Sequence, residues 1–168
     1  MKPSHFTFAL CAVLISACTA KVEQAPAPQA AVRPPVPLPI SINALMVAQV
    51  DHASHALWDA GREGHAPQTD EAWEEIEHHA MQLAAAATLI SLGGTGQADA
   101  GWVVKPDWKP LAQKLSDTAM TAAEAAHAKN LPGLLKTGDA LTDVCEACHK
   151  EFKPQIPSEG ILHPHYRH

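Results

Sequence analysis

The chain has 168 residues and a formal net charge of −6 at pH 7, a length that suits one domain with tails. Only 5% of the residues are aromatic and alanine is abundant, which favours helices over sheets. No cluster of lysine and arginine occurs, so we expect no nucleic-acid partner. A disulfide framework is not implied, because two of the four cysteines, Cys11 and Cys18, lie in the N-terminal segment.

Residues 1–17 predict an export signal. An apolar run over residues 6–15 is too short to span a bilayer. The run ends in Ile15-Ser16-Ala17-Cys18, which resembles the lipobox of bacterial lipoproteins. That resemblance implies lipidation of Cys18 and an anchor on the periplasmic side of a membrane. Cleavage after Ala20 is the alternative, and it would release a soluble periplasmic protein.

Two segments flank the predicted domain, which covers residues 41–154. Residues 18–40 are rich in proline and alanine, and this composition predicts an extended tether with a rise of about 3.1 Å per residue. Residues 155–168 are rich in histidine, and we expect a flexible tail there.

Residues 41–154 contain four stretches in which apolar residues recur at helical spacing, and none with a convincing strand alternation. Candidate N-caps and stop residues set their boundaries. The predicted helices begin near Ser41, at Thr69 or Asp70, near Asp107 and near Asn130, and they end at Gly61, at Gly93, before Asn130 and before Pro154. A glycine-rich connection anchored by Trp102 joins the second helix to the third.

The short connections predict an all-α fold, an antiparallel up-down-up-down four-helix bundle. Many positions on the predicted inward faces are alanine, which buries little apolar area. A cofactor held between the helices would supply the missing apolar mass. A bundle completed by homodimer formation explains the same pattern.

The most informative motif is Cys145-Glu146-Ala147-Cys148-His149 on the fourth predicted helix. In C-x-x-C-H, two thiols on one helical turn each add to a vinyl group of one haem, and the histidine binds its iron. A thioredoxin-like dithiol would need a strand before the helix. A zinc site would need two further ligands, and a disulfide across this spacing would be strained. The motif therefore predicts one covalent haem c.

The motif and its surroundings resemble the cytochrome c-prime family, the four-helix class of c-type cytochromes. Residues 130–145 match the length and apolar pattern of that family's last helix, residues 65–70 resemble the loop before its second helix, and Trp108 matches an aromatic residue at the start of its third. The resemblance covers residues 41–153. It implies that Cys145 and Cys148 are the thioether positions and His149 the proximal iron ligand.

In this family a residue of the first helix faces the other side of the haem. The resemblance implies that Met46 is the sixth ligand, although counting back from Pro67 assigns that place to Ala48, which would leave the iron open. His52 and His79 border their helices' apolar stripes and are further candidates.

Methionine at the sixth position is typical of members that carry electrons, and an apolar residue is typical of members that bind small gases. We therefore expect a monohaem electron carrier that meets exported redox proteins transiently. The alternative is a five-coordinate binder of NO or CO. No nucleophile or acid–base constellation is visible, and we expect no enzymatic activity.

Overall fold

The computed structural model describes residues 36–153. The predicted export signal, Cys18, the tether up to residue 35 and the histidine-rich tail lie outside the described residues. Within them the chain is helical and contains no strand, as the sequence predicts. No helix in this part of the chain is both long enough and apolar enough to cross a membrane.

Six α-helices and one π-helical stretch make up the described domain. In chain order they are α1 (Ile42–Leu45), the π segment (Met46–Asp51), α2 (His52–Asp59), α3 (Asp70–Ile90), α4 (Asp99–Val103), α5 (Trp108–His127) and α6 (Leu131–Phe152). The first three elements follow each other without a break, and together they form what we call the first helix.

Side-chain caps fix the start of three of these helices at the positions that the sequence predicts. The hydroxyl of Ser41 accepts the N–H of Ala44 at 3.0 Å, and the hydroxyl of Thr69 accepts the N–H of Ala72 at 3.2 Å. The side chain of Asn130 accepts from Gly133 at 3.1 Å. Each cap satisfies one of the backbone donors that a helix leaves unpaired at its start.

The connection between α3 and α5 is more ordered than the sequence predicts, because it contains α4. Its first residue, Asp99, is 2% exposed. One oxygen of its carboxylate accepts the N–H of Ile42 at 2.9 Å and the N–H of Gly96 at 2.8 Å. Asp99 therefore ties the beginning of the first helix to the glycine-rich connection. A buried carboxylate is stable there, since it meets backbone donors at a helix N-terminus.

Two pairs of helices differ in how they contact each other. The pair α3–α5 is in contact and is rich in buried small side chains, namely Ala80, Ala84, Ala86, Ala87, Ala112, Ala119, Ala122, Ala123, Ala125 and Ala126. The first helix also contacts both α3 and α6. Between α2 and α6, the indole N–H of Trp58 donates to the carbonyl of Gly138 at 3.2 Å.

The first helix changes its winding at Met46. Its buried apolar residues are Ile42, Leu45, Val50, Ala53 and Leu57, so the steps between them are three, five, three and four. Steps of three and four suit an α-helix, but a step of five requires a wider turn. The π segment lies where that step falls. The sequence predicts one regular helix here and does not reveal this local change.

Candidate functional site

The two cysteines and the histidine of the motif lie toward the interior side of α6. Cys145, Cys148 and His149 are each partly buried. The other residues of the same turns, Glu146, Ala147 and Lys150, are exposed. This division follows from helical geometry, because residues separated by three and four positions share one side of a helix. The three side chains that the sequence assigns to haem attachment thus share one side.

Both thiols are unbonded and lie in surroundings that favour their protonated form. Burial first, and then the neighbouring Cys148 and the carboxylate of Asp51, raise the pKa of the Cys145 thiol to about 11. Burial also raises the pKa of Cys148. Desolvation of this kind penalises the charged thiolate. The interior side of α6 at the motif is therefore a place of low polarity.

Two effects favour the neutral form of the His149 imidazole. Burial and the charge of Lys153 lower its pKa below the ordinary value. A neutral ring has a nitrogen lone pair free for a metal. This is the protonation state that an axial histidine needs.

Three aromatic rings surround the end of α6 that follows the motif. Trp108 stacks on Trp102 with ring centroids 5.7 Å apart, and Phe152 meets Trp108 edge to face at 4.8 Å. Trp108 is 3% exposed, and its indole N–H donates to the carbonyl of Ile90 at 3.3 Å. The rings join α4, α5 and α6 beside the motif, and they give this end of the molecule a bulky apolar wall.

Two charged residues near the motif are missed by sequence reasoning. Asp51, in the π segment, is 7% exposed, and its charge acts on Cys145. Lys153 reaches across to the first helix, where its ammonium donates to the side chain of Asn43 at 2.5 Å. It also lies 6.0 Å from the centre of the Trp102 ring. Both contacts join residues far apart in sequence, which spacing alone does not disclose.

Met46, the residue predicted as the sixth ligand, is the first residue of the π segment. Its side chain is partly buried and packs against the apolar core. Leu45, immediately before it, is 5% exposed and points more fully into the interior. Ala48, the alternative position, is exposed.

The two histidines considered as further candidates contact each other. The rings of His52 and His79 meet edge to face with centroids 5.4 Å apart, which joins the first helix to α3. Nε2 of His79 lies 3.2 Å from a carboxylate oxygen of Glu75, while its Nδ1 is buried without a hydrogen-bond partner. His52 itself is exposed.

The described residues contain no group of three or more histidine, cysteine or acidic side chains arranged to hold a metal ion. Haem attachment does not need such a group, because two thioethers and one imidazole on a single helix hold the cofactor from one side. Cys145, Cys148 and His149 meet this requirement, and the low polarity around them suits an apolar macrocycle. A groove of about 550 Å³ lies between α5 and α6 on the turns of α6 that precede the motif; charged side chains such as Asp117, Glu124 and Lys136 border it, but its surface is mainly apolar.

Comparisons with protein-family models, with curated proteins and with solved structures found no match to this chain. The interpretation of the site therefore rests on its own residues.

Proposed function

We propose that this protein is a c-type cytochrome with one covalent haem, which carries single electrons between exported redox proteins. The observation that carries the proposal is the arrangement of Cys145, Cys148 and His149 on the interior side of α6, where burial favours the uncharged forms of the thiols and the imidazole. The cofactor, when bound, supplies an iron that changes its charge by one unit.

The residues of the chain would hold that cofactor and exclude water from it. Cys145 and Cys148 would form the thioether bonds, and His149 would bind the iron. Trp102, Trp108 and Phe152 close the same end of the molecule with apolar surface. Low polarity around a haem is one of the factors that set its potential.

The finer architecture is part of the proposal. Long helices joined by short connections support an antiparallel up-down-up-down bundle of the first helix, α3, α5 and α6. The contacts α3–α5, α5–α6, first helix–α3 and first helix–α6 form a closed ring of four neighbours, as such a bundle requires. Membership of the cytochrome c-prime class is proposed on this topology and on the C-terminal position of the motif.

The decisive experiment is haem retention after denaturation. The full chain is expressed in a bacterium with the c-type maturation system, purified and denatured, and its mass is measured. We expect one haem to remain on the peptide that contains Cys145 and Cys148. The matched control, Cys145→Ala with Cys148→Ala, should lose it. A wild-type protein that releases all of its haem on denaturation would overturn the proposal.

Export and anchoring form a separate part of the proposal, which rests on the lipobox resemblance at Cys18. We expect the wild-type chain in the membrane fraction and Cys18→Ser outside it. A wild-type protein recovered entirely in the periplasmic soluble fraction would favour cleavage after Ala20.

A second candidate function, binding of NO or CO at a five-coordinate iron, is favoured by the burial of Leu45 relative to Met46. An apolar side chain facing the iron leaves its sixth position open. Absorption spectra of the oxidised and reduced protein, with and without CO, separate the two. A low-spin ferrous spectrum that resists CO supports the electron carrier, whereas immediate CO uptake supports the gas binder.

A further inference from the structure

The buried residues of the first helix are unevenly spaced. The N-terminal part of this helix can therefore pack against the interior in two orientations. Val50, Ala53 and Leu57 define the buried stripe of its C-terminal part. With the π segment in place, the stripe continues to Leu45, five residues before Val50. In an uninterrupted α-helix it would continue to the residue four positions before Val50, which is Met46.

The two windings therefore exchange Leu45 and Met46. Successive residues of an α-helix are about 100° apart, and the loss of the π turn rotates the beginning of the helix by about that angle. Met46 then joins the stripe and Leu45 turns away from it. The observed exposures, with Leu45 buried and Met46 only partly buried, are those of the π-helical winding.

Two contacts with distant parts of the chain hold the beginning of the helix in the π-helical winding. The carboxylate of Asp99 accepts the N–H of Ile42 at 2.9 Å. The ammonium of Lys153 donates to the side chain of Asn43 at 2.5 Å. A rotation of this part would have to release or exchange both contacts, so it needs a compensating gain elsewhere.

We propose that the π segment Met46–Asp51 sets which residue of the first helix faces the interior, and we call it a register device. Its conversion to α-helix brings Met46, in place of Leu45, to the side of the interior that faces the iron. This inference rests on the proposed function. Binding of the Met46 thioether to the iron supplies the gain that offsets the contacts at the start of the helix. In the holoprotein the first helix would then be α-helical, with the Met46 thioether directed toward the iron.

The first test removes one residue from the π segment. Deletion of Ala48, which is exposed, shortens the step from Leu45 to Val50 to four, so a regular α-helix then buries Leu45 and leaves Met46 outside the stripe. We expect loss of the wild-type low-spin ferrous spectrum and immediate uptake of CO. The matched control, Ala48→Ser, keeps the chain length and should match the wild type. A deletion variant that stays low-spin would overturn the proposal.

The second test favours the other winding and does not depend on the folding of the deletion variant. In N43L/L45Q the apolar pattern continues through positions 43 and 46, and a polar side chain stands at 45. We expect this variant to remain low-spin and resistant to CO, and the addition of Met46→Ala to make it high-spin. If N43L/L45Q is high-spin, the proposal fails.

Backbone hydrogen exchange gives a readout that does not depend on electron transfer. In the holoprotein, the amides of residues 46–51 should exchange more slowly in the wild type than in Met46→Ala, because without the thioether the π turn replaces regular α-helical hydrogen bonds. The Ala48 deletion, whose helix is regular in either case, should show no difference when Met46→Ala is added. Equal exchange in the wild type and Met46→Ala would contradict the proposal.

The failures of the two proposals are distinguishable. A wild-type protein that keeps its haem after denaturation but is high-spin, or whose spectrum is unaffected by Met46→Ala, refutes the register device and leaves haem attachment intact. Loss of all haem on denaturation refutes the proposed function itself.

Discussion

The pair α3–α5 and the pair formed by the first helix and α6 are built on different principles. The first pair is rich in buried alanines and regularly wound. Its polar links include the Ser116 hydroxyl donating to the Ala84 carbonyl at 3.4 Å and the Trp108 indole N–H donating to the Ile90 carbonyl at 3.3 Å, with an exposed contact between His127 and Glu77 at 3.2 Å. The second pair contains the buried carboxylate of Asp51, the half-buried thiol of Cys145 and the π segment. Close packing of small side chains resists change, whereas the irregular winding of the first helix makes its interface with α6 less regular.

This contrast separates a scaffold from a site. The motif, the buried carboxylate of Asp51 and the change of winding lie in one pair of helices, and the other pair packs against it. The following four changes test the contrast, in order of decreasing effect on the free energy of unfolding.

The largest effect is expected at Leu83, the only leucine on the fully buried face of α3. Leu83→Ala should lower the free energy of unfolding by about 2–5 kcal/mol, since it leaves a cavity that the surrounding alanines are too short to fill. Urea unfolding followed by circular dichroism measures the change. Met81→Ala on the same helix, where the side chain is 44% exposed, is the control and should change stability little.

Adding atoms to the scaffold pair should also destabilise it. Ala119 is fully buried on α5, one turn after Ser116, which contacts α3. Ala119→Leu should lower the free energy of unfolding by about 1–3 kcal/mol, because the enlarged side chain forces the two helices apart. The same urea titration tests this. A stability equal to that of the wild type would mean that the α3–α5 interface is loosely packed and would break the contrast.

The corresponding addition in the other pair should have the opposite sign. A Cβ at Gly138 would lie 3.5 Å from the Trp58 ring, an ordinary contact distance. Gly138→Ala in the middle of α6 should raise the free energy of unfolding by about 0.5–1 kcal/mol, through the lower backbone entropy of the unfolded chain. Thermal unfolding of Gly138→Ala beside Ala119→Leu measures both signs in one experiment. A loss of stability at Gly138 would show that this interface is as tight as α3–α5.

The smallest effect belongs to an ion pair at the end of the first helix, outside both interfaces. A hydrogen bond from Arg62, 2.8 Å from the Asp59 carboxylate, holds the pKa of Asp59 below its ordinary value of 3.8. The pair therefore stabilises the fold above that pH, and its contribution is lost as the pH falls through the lowered pKa. Both side chains are at least half exposed, so Arg62→Ala should cost no more than about 0.5 kcal/mol at pH 7.

Urea titrations of the wild type and Arg62→Ala at pH 7 and pH 2.5 provide the measurement. The difference between the two proteins should be smaller at the lower pH. A difference of the same size there would assign the effect of Arg62 to packing and not to its charge.

Local features of the chain are predictable from sequence because their causes lie within a few residues. Ser41, Thr69 and Asn130 cap helices through donors three residues away, and such caps are visible in the sequence. The α4 helix is not predicted, since it is held by the contact of Asp99 with the distant Ile42. Asp51 and Lys153 escape prediction for the same reason, because their partners are on other helices.

By itself, the sequence determined the all-helical class, the starts of the helices and the sharing of one helix side by Cys145, Cys148 and His149, since periodicity and spacing along one helix depend only on local geometry. Only the tertiary structure decided which residue of the first helix is buried. Burial of Leu45 and burial of Met46 are equally compatible with the apolar pattern of the first helix. The burial of Leu45 accompanies the π segment, and the start of this helix is tied down by contacts with Asp99 and Lys153, which the chain brings together only when it folds.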